Sequence, residues 1–264
     1  MVQNRPIPLN IIIFLYFCMM KKLIKSIHLY YFQISLALIF SILYPAILFS
    51  SRNPVKFHTM NRLRWYFSFI SSFFSGFFFR FKYEEPIDWS KNYIICANHT
   101  SNLDITAMIL LAKKNFVFMG KEELLRNFIT GIYFRTIDIP LNRESKMSAF
   151  RAFKKADEIL KQGKNLVIFP EGMISETFPP VLQPFKNGPF KLAIENGVPI
   201  LPVTILNNWD LMWDDGKRYG STPGFCDICV HSPIETKGLS ASDAEVLKEQ
   251  VFNKIHDTLN PMAE

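Results

Sequence analysis

The hydrophobic residues are spread unevenly along the chain, and the longest uncharged stretch lies close to its start. From Ser26 to Ser51 there is no Asp, Glu, Lys or Arg. About 20 apolar residues cross the hydrocarbon core of a bilayer as a helix. We therefore expect an apolar helix at about residues 26–51 that anchors the chain in a membrane. Three basic residues, Lys21, Lys22 and Lys25, precede this stretch.

Two other interpretations of this stretch stay open. A charged segment followed by an apolar one is typical of a signal peptide, although this stretch is longer than usual and no small-x-small cleavage site follows it. Basic residues also follow the stretch, at Arg52 and Lys56. The positive-inside rule therefore gives no orientation, and a re-entrant hairpin fits as well as a span. The sequence also allows translation to start at Met19 or Met20.

A second uncharged stretch, from Trp65 to Phe79, is rich in aromatic residues and too short to cross a membrane comfortably. The basic residues Arg80 and Lys82 follow it. Phenylalanines recur at helical spacing here, at Phe73, Phe74, Phe77, Phe78 and Phe81. The pattern favours a helix at about residues 65–81 that lies in the lipid interface, with a buried core helix as the alternative. We therefore predict that residues 1–82 form a membrane-anchoring helical region.

Beyond residue 82 the pattern changes to short apolar runs that alternate with amphipathic segments. Residues at about 144–162 and 242–260 carry apolar side chains at helical spacing, which predicts two helices. Strands are predicted at Tyr93–Ala97, Phe116–Met119, Ile137–Pro140, Leu166–Phe169 and Ile200–Ile205. Strands that alternate with helices indicate an α/β fold. We expect residues 83–264 to form one domain, with a single sheet covered by helices.

The composition is that of a folded, basic protein. Of 264 residues, 49% are hydrophobic and 15% are aromatic, with 26 phenylalanines, which excludes a disordered chain. The net charge is +7. The basic residues are scattered and form no nucleic-acid motif, so we expect an anionic membrane surface and a phosphorylated substrate as partners, and no nucleic acid.

The cysteines predict neither a disulfide framework nor a metal centre. Four cysteines at uneven spacing in a chain of this length favour a reducing compartment. Cys226 and Cys229 form one C-x₂-C pair, which on its own allows a zinc or redox module. No second pair exists, and the surrounding residues are apolar and strand-like. Buried thiols are therefore the favoured interpretation, and no metal is expected.

The segment YIICANHTSNLD, from Tyr93 to Asp104, carries the candidate chemistry. An apolar strand runs directly into turn and helix-cap residues. His99 follows the strand, and Asp104 stands five positions later at the start of a helix. An Asp bonded to one imidazole nitrogen leaves the other nitrogen free to take a proton. A turn cap and a helix cap would be the commoner roles for an isolated His and Asp at this spacing.

Three further blocks accompany this segment. They are IDIPLNR, which ends at Arg143, LVIFPEG, from Leu166 to Gly172, and GVPILPV, from Gly197 to Val203. The four blocks, in this order and at this spacing, resemble the glycerophospholipid acyltransferase family, in particular the 1-acyl-sn-glycerol-3-phosphate acyltransferases. The resemblance covers about residues 60–210. No nucleophilic-serine elbow occurs in the chain, so the His and Asp would act on the substrate's own hydroxyl.

The resemblance implies roles for individual residues. His99 would be the general base and Asp104 its orienting partner. Substrate binding would involve Asn98, Ser101, Lys121, Arg143, Phe169, Pro170, Glu171, Gly172 and Lys186. Within this set, Lys121 and Arg143 would hold the acceptor phosphate, and Glu171 would contact the glycerol or phosphate region. We also expect main-chain N–H groups near the start of the helix to stabilise the oxyanion.

The implied reaction moves a fatty acyl group from acyl-CoA or acyl-carrier protein to the sn-2 hydroxyl of 1-acyl-sn-glycerol-3-phosphate. The product is phosphatidic acid, an intermediate of phospholipid biosynthesis. The acyl thioester is a co-substrate, and no cofactor is expected. The predicted location is the inner (cytoplasmic) membrane, with the catalytic domain on its cytoplasmic side.

One departure from the family pattern leaves the acceptor open. Met173 and Ile174 stand where the family usually has Thr-Arg, so a cation is missing from a region that commonly holds phosphate. An O-acyltransferase for another lysolipid, such as a lyso-aminolipid or a lysophospholipid, is therefore an alternative. A non-catalytic membrane-binding protein is the alternative from another class. The presence of His99, Asp104 and Glu171 argues against it.

Overall fold

The computed structural model describes residues 9–113 and 115–260, which form one mixed sheet flanked by helices. Two long helices precede the sheet. The helices are α1 (Leu9–Ser51), α2 (Phe57–Phe74), α3 (Leu103–Ala112), α4 (Gly131–Thr136), α5 (Lys146–Lys161), α6 (Gly188–Asn196), α7 (Asn208–Leu211) and α8 (Ala244–Leu259). The strands are β1 (Phe77–Tyr83), β2 (Ile94–Ala97), β3 (Phe116–Lys121), β4 (Ile139–Leu141), β5 (Asn165–Ile168), β6 (Ile200–Ile205) and β7 (Gly224–Val230).

The order and direction of the strands determine which edge of the sheet is suited to bind a ligand. The order is β1-β7-β6-β2-β5-β3-β4. From β6 to β4 the paired strands are parallel, whereas β7 runs antiparallel to β6 and β1 runs parallel to β7. The carboxyl ends of β2, β3, β4, β5 and β6 therefore meet at one edge, where open α/β sheets bind their ligands. The predicted α/β fold, with one sheet covered by helices, is confirmed.

The five predicted strands correspond to β2, β3, β4, β5 and β6. β2, β5 and β6 are buried along their whole length. Strands of a parallel sheet that is covered on both faces have continuous apolar sequences, which explains why the sequence pattern predicts these strands. The two predicted helices correspond to α5 and α8. α5 begins at Lys146 because the Ser145 hydroxyl accepts a hydrogen bond from the Ser148 N–H at 3.2 Å and caps the helix.

The predicted aromatic helix at about residues 65–81 is wrong in its second half. α2 ends at Phe74, and Gly76 follows in the left-handed conformation, with φ of +73°. The chain then enters strand β1, in which Phe77 packs into the core and Phe78 faces outward. Phenylalanines at every second position satisfy a strand as well as the helical spacing does. The predicted boundary at residue 82 is corrected as well, because β1 belongs to the sheet.

The first helix is longer than predicted. α1 begins at Leu9 and runs through Pro45 to Ser51. Residues 16–51 are long and apolar enough to cross a membrane by length and composition, and only 17% of their most apolar window is buried. The large hydrophobic residues of α1 that are exposed by about half or more are Ile13, Phe14, Tyr16, Phe17, Met19, Leu23, Ile24, Ile27, Tyr30, Tyr31, Ile34, Leu38, Ile42 and Phe49. Such a surface is typical of contact with lipid or with another protein.

A buried ion pair joins α2 to the sheet. The Arg64 guanidinium donates to the Asp138 carboxylate at 2.8 and 3.0 Å, and the two side chains are only 4% and 2% exposed. The Asp138 carboxylate also accepts the Phe118 N–H of β3 at 3.0 Å. Arg64 lies 4.2 Å above the ring of Phe116. Loss of either partner would leave an uncompensated buried charge, at a cost of about 3–5 kcal/mol.

Candidate active site

The end of β2 is fixed to its neighbour β6. The Asn98 side chain donates to the Ile205 carbonyl at 2.9 Å and accepts the Ile205 N–H at 2.7 Å. Asn98 is fully buried, so its amide positions the turn that follows and offers no group to a ligand. Ser101 is likewise fully buried, and its hydroxyl accepts the Leu103 N–H at 3.1 Å. Both residues were predicted to contact substrate, whereas their side chains build the turn.

His99 and Asp104 lie together, as their spacing predicts. His99 follows β2 at the carboxyl edge of the sheet, and Asp104 lies in the first turn of α3. The Asp104 carboxylate is fully buried, and its Oδ2 lies 3.0 Å from His99 Nδ1. A carboxylate at this distance makes Nδ1 the protonated nitrogen, so the lone pair of the imidazole lies on Nε2.

Three further donors hold the Asp104 carboxylate. Oδ2 accepts the main-chain N–H groups of Thr100 and Ser101 at 2.6 and 2.8 Å, and Oδ1 accepts the Asn208 amide at 2.9 Å. Together these bonds compensate a charge that would otherwise be costly to bury. The N–H groups of Thr100 and Ser101 therefore already donate to Asp104 and are not available to a substrate oxygen. The expectation that main-chain groups at the helix start stabilise an oxyanion is wrong for these two.

Glu171 braces the main chain of the same turn. Its Oε1 accepts the His99 N–H at 2.6 Å, and its Oε2 accepts the Gln183 N–H at 2.7 Å. The side chain is only 3% exposed. Burial raises the pKa of Glu171 to about 7, although both N–H groups lower it. The carboxylate therefore supports the backbone of the catalytic turn, and its titration falls close to neutral pH.

The Phe-Pro-Glu-Gly block packs directly on the imidazole. The rings of His99 and Phe169 are stacked, with centroids 4.0 Å apart and an interplanar angle of 14°. Pro170 is buried, and its carbonyl accepts the Lys186 N–H at 2.9 Å. Gly172 has φ of +82°, and a Cβ there would lie 3.2 Å from the guanidinium carbon of Arg143. Gly172 thus gives Arg143 its place beside this block.

The three predicted cations lie on segments at the carboxyl edge of the sheet. Lys121 ends β3, Arg143 follows β4, and Lys186 lies beside Pro170, and all three side chains are exposed. Lys121 lies within electrostatic reach of Asp214, because its charge lowers the pKa of that carboxyl. Burial and the Asp215 carboxylate raise the pKa of Asp214. The structure therefore brings the candidate phosphate-binding residues to the same edge of the sheet as His99 and Asp104.

Sequence reasoning missed Asn208 and Asp214. Both lie between β6 and β7, in a segment whose role the sequence did not indicate. The Asp214 N–H donates to the Thr100 carbonyl at 3.1 Å, and the Asp214 carbonyl accepts the Asn102 N–H at 2.8 Å. These contacts join positions more than 100 residues apart in the chain, so no local pattern could have identified them.

One cluster among the described residues has the donor set of a metal centre. Glu84, Cys229 and His231 place an oxygen, a sulfur and a nitrogen within 4.8 Å of one another. The carboxylate of Glu84 already pairs with Lys254 at 3.1 Å and with His231 Nδ1 at 2.8 Å. His231 Nε2 lies 2.7 Å from the hydroxyl of Thr204. The groups of this cluster are therefore hydrogen-bonded to one another and to their neighbours, and the cluster lies at the end of β7, opposite the catalytic edge.

Comparison with known proteins identifies relatives of the chain. A family model described as Acyltransferase matches residues 78–206. The 1-acyl-sn-glycerol-3-phosphate acyltransferase alpha of Mus musculus is 28% identical over 60% of this chain and 55% of its own length. The 1-acyl-sn-glycerol-3-phosphate acyltransferase of Saccharomyces cerevisiae is 32% identical over 64% of this chain and 56% of its own. The alignments thus span little more than half of these relatives.

A solved structure extends the similarity to almost the whole chain. The crystal structure of the 1-acyl-sn-glycerophosphate (LPA) acyltransferase PlsC from Thermotoga maritima matches with a TM-score of 0.72 and 25% identity. The match covers 92% of this chain and 96% of that one, so it includes the N-terminal helices as well as the sheet. The family model, the named relatives and the shared fold agree that residues 78–206 form an acyltransferase domain.

Proposed function

We propose that this chain transfers a fatty acyl group from an acyl thioester to the sn-2 hydroxyl of 1-acyl-sn-glycerol-3-phosphate. The observation that carries the proposal is the His99–Asp104 pair, in which a buried, fully bonded carboxylate holds Nδ1 and leaves Nε2 as the basic atom. His99 retains some exposure, at 16% of its side chain, so a substrate can reach it from the carboxyl edge of the sheet.

The proposed reaction is direct transfer without a covalent enzyme intermediate. His99 Nε2 removes the proton from the lysolipid hydroxyl as that oxygen attacks the thioester carbonyl. Asp104 stabilises the imidazolium that forms. Collapse of the tetrahedral intermediate expels the thiolate, which takes the proton back from His99. The thiols of Cys96 and Cys226 are buried, and burial raises the pKa of both, so neither has the character of a nucleophile.

Lys121 and Arg143 are the proposed partners of the acceptor phosphate. Arg143 offers a planar fork that suits phosphate, and its position beside Gly172 places it next to the His99–Phe169 stack. A phosphate held there would set which glycerol hydroxyl faces Nε2. Glu171, whose carboxylate bonds the main chain, is proposed to act on the position of His99 and not on the substrate.

The N-terminal helices support a proposed location at the inner (cytoplasmic) membrane, with the sheet on its cytoplasmic side. Exposed aromatic rings continue from α2 onto the sheet: the rings of Phe73 and Phe78 lie 6.0 Å apart, and those of Phe78 and Phe225 lie 5.7 Å apart. Together with the apolar surface of α1, they would enter the lipid interface, and the basic residues around α1 would face anionic headgroups. Both substrates carry acyl chains that such an interface can deliver.

A second acceptor is favoured by one feature of the structure. A cleft of about 370 Å³ lies between the segment after Gly172 and the loop that holds Asp214. Ile174 lines this cleft together with three carboxylates, of Glu176, Asp214 and Asp215, and two cations, Lys217 and Arg218. Lys217 pairs with Asp215 at 2.5 Å, which leaves Glu176 and Asp214 as the acidic groups that could face a ligand. Acidic groups in that place suit an ammonium group, so a lysolipid with an amine in its headgroup is the alternative substrate.

The test is acyl transfer by the purified full chain in lipid or detergent. The chain is offered lysophosphatidic acid with acyl-CoA or acyl-carrier protein, and then a panel of other lysolipids that includes lyso-aminolipids. We expect thiol release and phosphatidic acid by mass spectrometry, with lysophosphatidic acid preferred over the panel. Preference for an aminolipid would favour the second acceptor. Absence of transfer with every acceptor and donor would favour a non-catalytic membrane protein.

A further inference from the structure

The segment between β6 and β7 crosses the carboxyl edge of the sheet and touches the catalytic turn twice. We call residues 207–221 the strap. Its first contact is the hydrogen bond from the Asn208 amide to Asp104 Oδ1, at 2.9 Å. Its second contact is made by the main chain of Asp214, which bonds that of Thr100 and Asn102 at 3.1 and 2.8 Å. The strap therefore holds both the carboxylate and the backbone of the turn.

The contact through Asn208 differs from the other bonds to the carboxylate. Asp104 Oδ2 accepts three bonds, all from residues of its own turn. For Oδ1, the structure of residues 9–113 and 115–260 gives one donor, and it comes from the strap. Asn208 and Asp104 are both fully buried, so water cannot easily replace that donor. The Asn208 amide therefore holds Oδ1 from outside the turn, and together with the Thr100 and Ser101 N–H groups on Oδ2 it fixes the rotation of the carboxylate toward His99 Nδ1.

The far end of the strap is anchored on α1. The Ser221 N–H donates to the Lys25 carbonyl at 3.0 Å, and the Ser221 hydroxyl lies 2.8 Å from His28 Nδ1. Gly220 packs directly on the helix, because a Cβ there would lie 2.6 Å from the carbonyl carbon of Lys25. A strap fixed at both ends cannot drift from the catalytic turn, so Asn208 presents its amide in one place.

We propose that Asn208 is a positioning residue for the catalytic pair, and that its amide keeps the Asp104 carboxylate aligned with the His99 imidazole. The inference rests on the proposed function. Asn208 reaches no reacting atom and acts only through Asp104. Misalignment of the pair would slow proton transfer, whereas the groups proposed to bind substrate would stay in place.

The chain supplies a matched control in the neighbouring residue. The Asn207 side chain bonds only main-chain groups in the described structure: its amide donates to the Phe225 carbonyl at 2.9 Å, and its oxygen accepts the Asp227 N–H at 2.8 Å. Those bonds join the strap to β7 and do not involve Asp104. Asn207 is half-buried and makes two bonds to main chain, whereas Asn208 is fully buried and bonds Asp104. Asn207→Ala therefore controls for a weakened strap, and Asn208→Asp, which keeps the size of the buried side chain, controls for a loss of packing.

The first experiment compares Asn208→Ala with Asn207→Ala. We expect Asn208→Ala to lower kcat about 10- to 100-fold with KM for both substrates within about twofold, and Asn207→Ala to keep kcat within about threefold. Asn208→Asp keeps the size of the side chain but sets a carboxyl oxygen against Asp104 Oδ1, and we expect kcat below that of Asn208→Ala. Unchanged kcat in Asn208→Ala, or equal losses in both alanine variants, would overturn the proposal.

A second measurement does not depend on activity. In chain labelled with ¹⁵N at histidine, the Nδ1–H resonance of His99 reports its bond to Asp104, and its assignment follows from its loss in His99→Ala. We expect this resonance to shift or broaden in Asn208→Ala and to stay in place in Asn207→Ala. A resonance unchanged in Asn208→Ala would overturn the proposal even if transfer is observed. A shift without transfer by the unsubstituted chain would leave the positioning role standing and remove the proposed reaction.

Discussion

The reacting part of the candidate site and its cationic part are built differently. At the end of β2, the Asp104 carboxylate is fully buried and accepts four hydrogen bonds, and His99 is fixed by Asp104, Phe169 and Glu171. The cations Lys121 and Arg143 are exposed at the same edge. The proposed catalytic pair is therefore preorganised, while the cations lie at the surface. Substitutions in the first part are expected to change kcat, and those in the second to change KM.

The largest effect is expected from His99→Ala, which removes the base from the preorganised part. We expect kcat to fall about 10³-fold or more, while the melting temperature stays close to that of the unsubstituted chain. The measurement is thiol release with lysophosphatidic acid. His256→Ala, at an exposed histidine of α8, serves as the control and should keep full activity. Near-normal kcat in His99→Ala would contradict the assigned base.

The second effect concerns Glu171, a brace whose charge depends on pH. Because burial raises its pKa from 4.5 to about 7, the ionised form is disfavoured in the fold. Its contribution to the unfolding free energy is therefore highest below about pH 4.5, falls as pH rises toward 7, and is constant above that value. We expect the unfolding free energies of the chain and of Glu171→Gln to change relative to each other by on the order of 3 kcal/mol across this interval.

Chemical unfolding in detergent at several pH values measures that difference. Glutamine stays neutral throughout, so subtraction cancels the other titrating groups that the two chains share. If the difference in unfolding free energy between the two chains stays constant from pH 4.5 to 7, Glu171 has an ordinary pKa and is ionised throughout most of this interval.

The third effect addresses the exposed cations. We expect Lys121→Ala and Arg143→Ala each to raise KM for lysophosphatidic acid about tenfold, with kcat within about threefold, because each removes one charge-assisted bond to phosphate. Steady-state kinetics at fixed donor concentration checks this. Lys237→Ala, an exposed lysine after β7, is the matched control. Losses in kcat without a change in KM would mean that these cations belong to the preorganised part.

The smallest effect is expected at the stacked ring. Phe169→Leu keeps an apolar side chain beside His99 but removes the aromatic face, and we expect kcat to fall about two- to fivefold. Phe252→Leu is the control, since Phe252 stacks on His256 in α8, with centroids 5.9 Å apart. Equal effects of the two substitutions on kcat would show that the stack does not orient the imidazole.

The sequence predicted the parts of the site that are local in the chain. His99 and Asp104 are five positions apart, so the strand and the helix start were enough to place them together. Asn98 and Glu171 were recognised as residues of the site, but their roles were not. Their side chains bond main-chain atoms of distant segments, and those partners become neighbours only when the sheet is assembled.

The error in the aromatic stretch has a similar physical reason. Phenylalanines between Phe73 and Phe81 fit both a helical and a strand period, and local spacing cannot decide between them. What decides is pairing with β7, in which Phe79 lies opposite Cys226. Gly76, in a left-handed conformation, was the local signal that a helix ends there.

The buried pair of Arg64 and Asp138 has a consequence for protein engineering. An anchor that touched its catalytic domain only through a linker could be exchanged for another anchor or removed, as a module. Here α2, the helix that follows α1, supplies the counter-ion of Asp138, which directly precedes strand β4, at 2.8 Å. A chimera is therefore expected to fold only if the transplanted segment brings an arginine to the same place. The smallest transferable unit of this chain is the pair α1 and α2 together with the sheet.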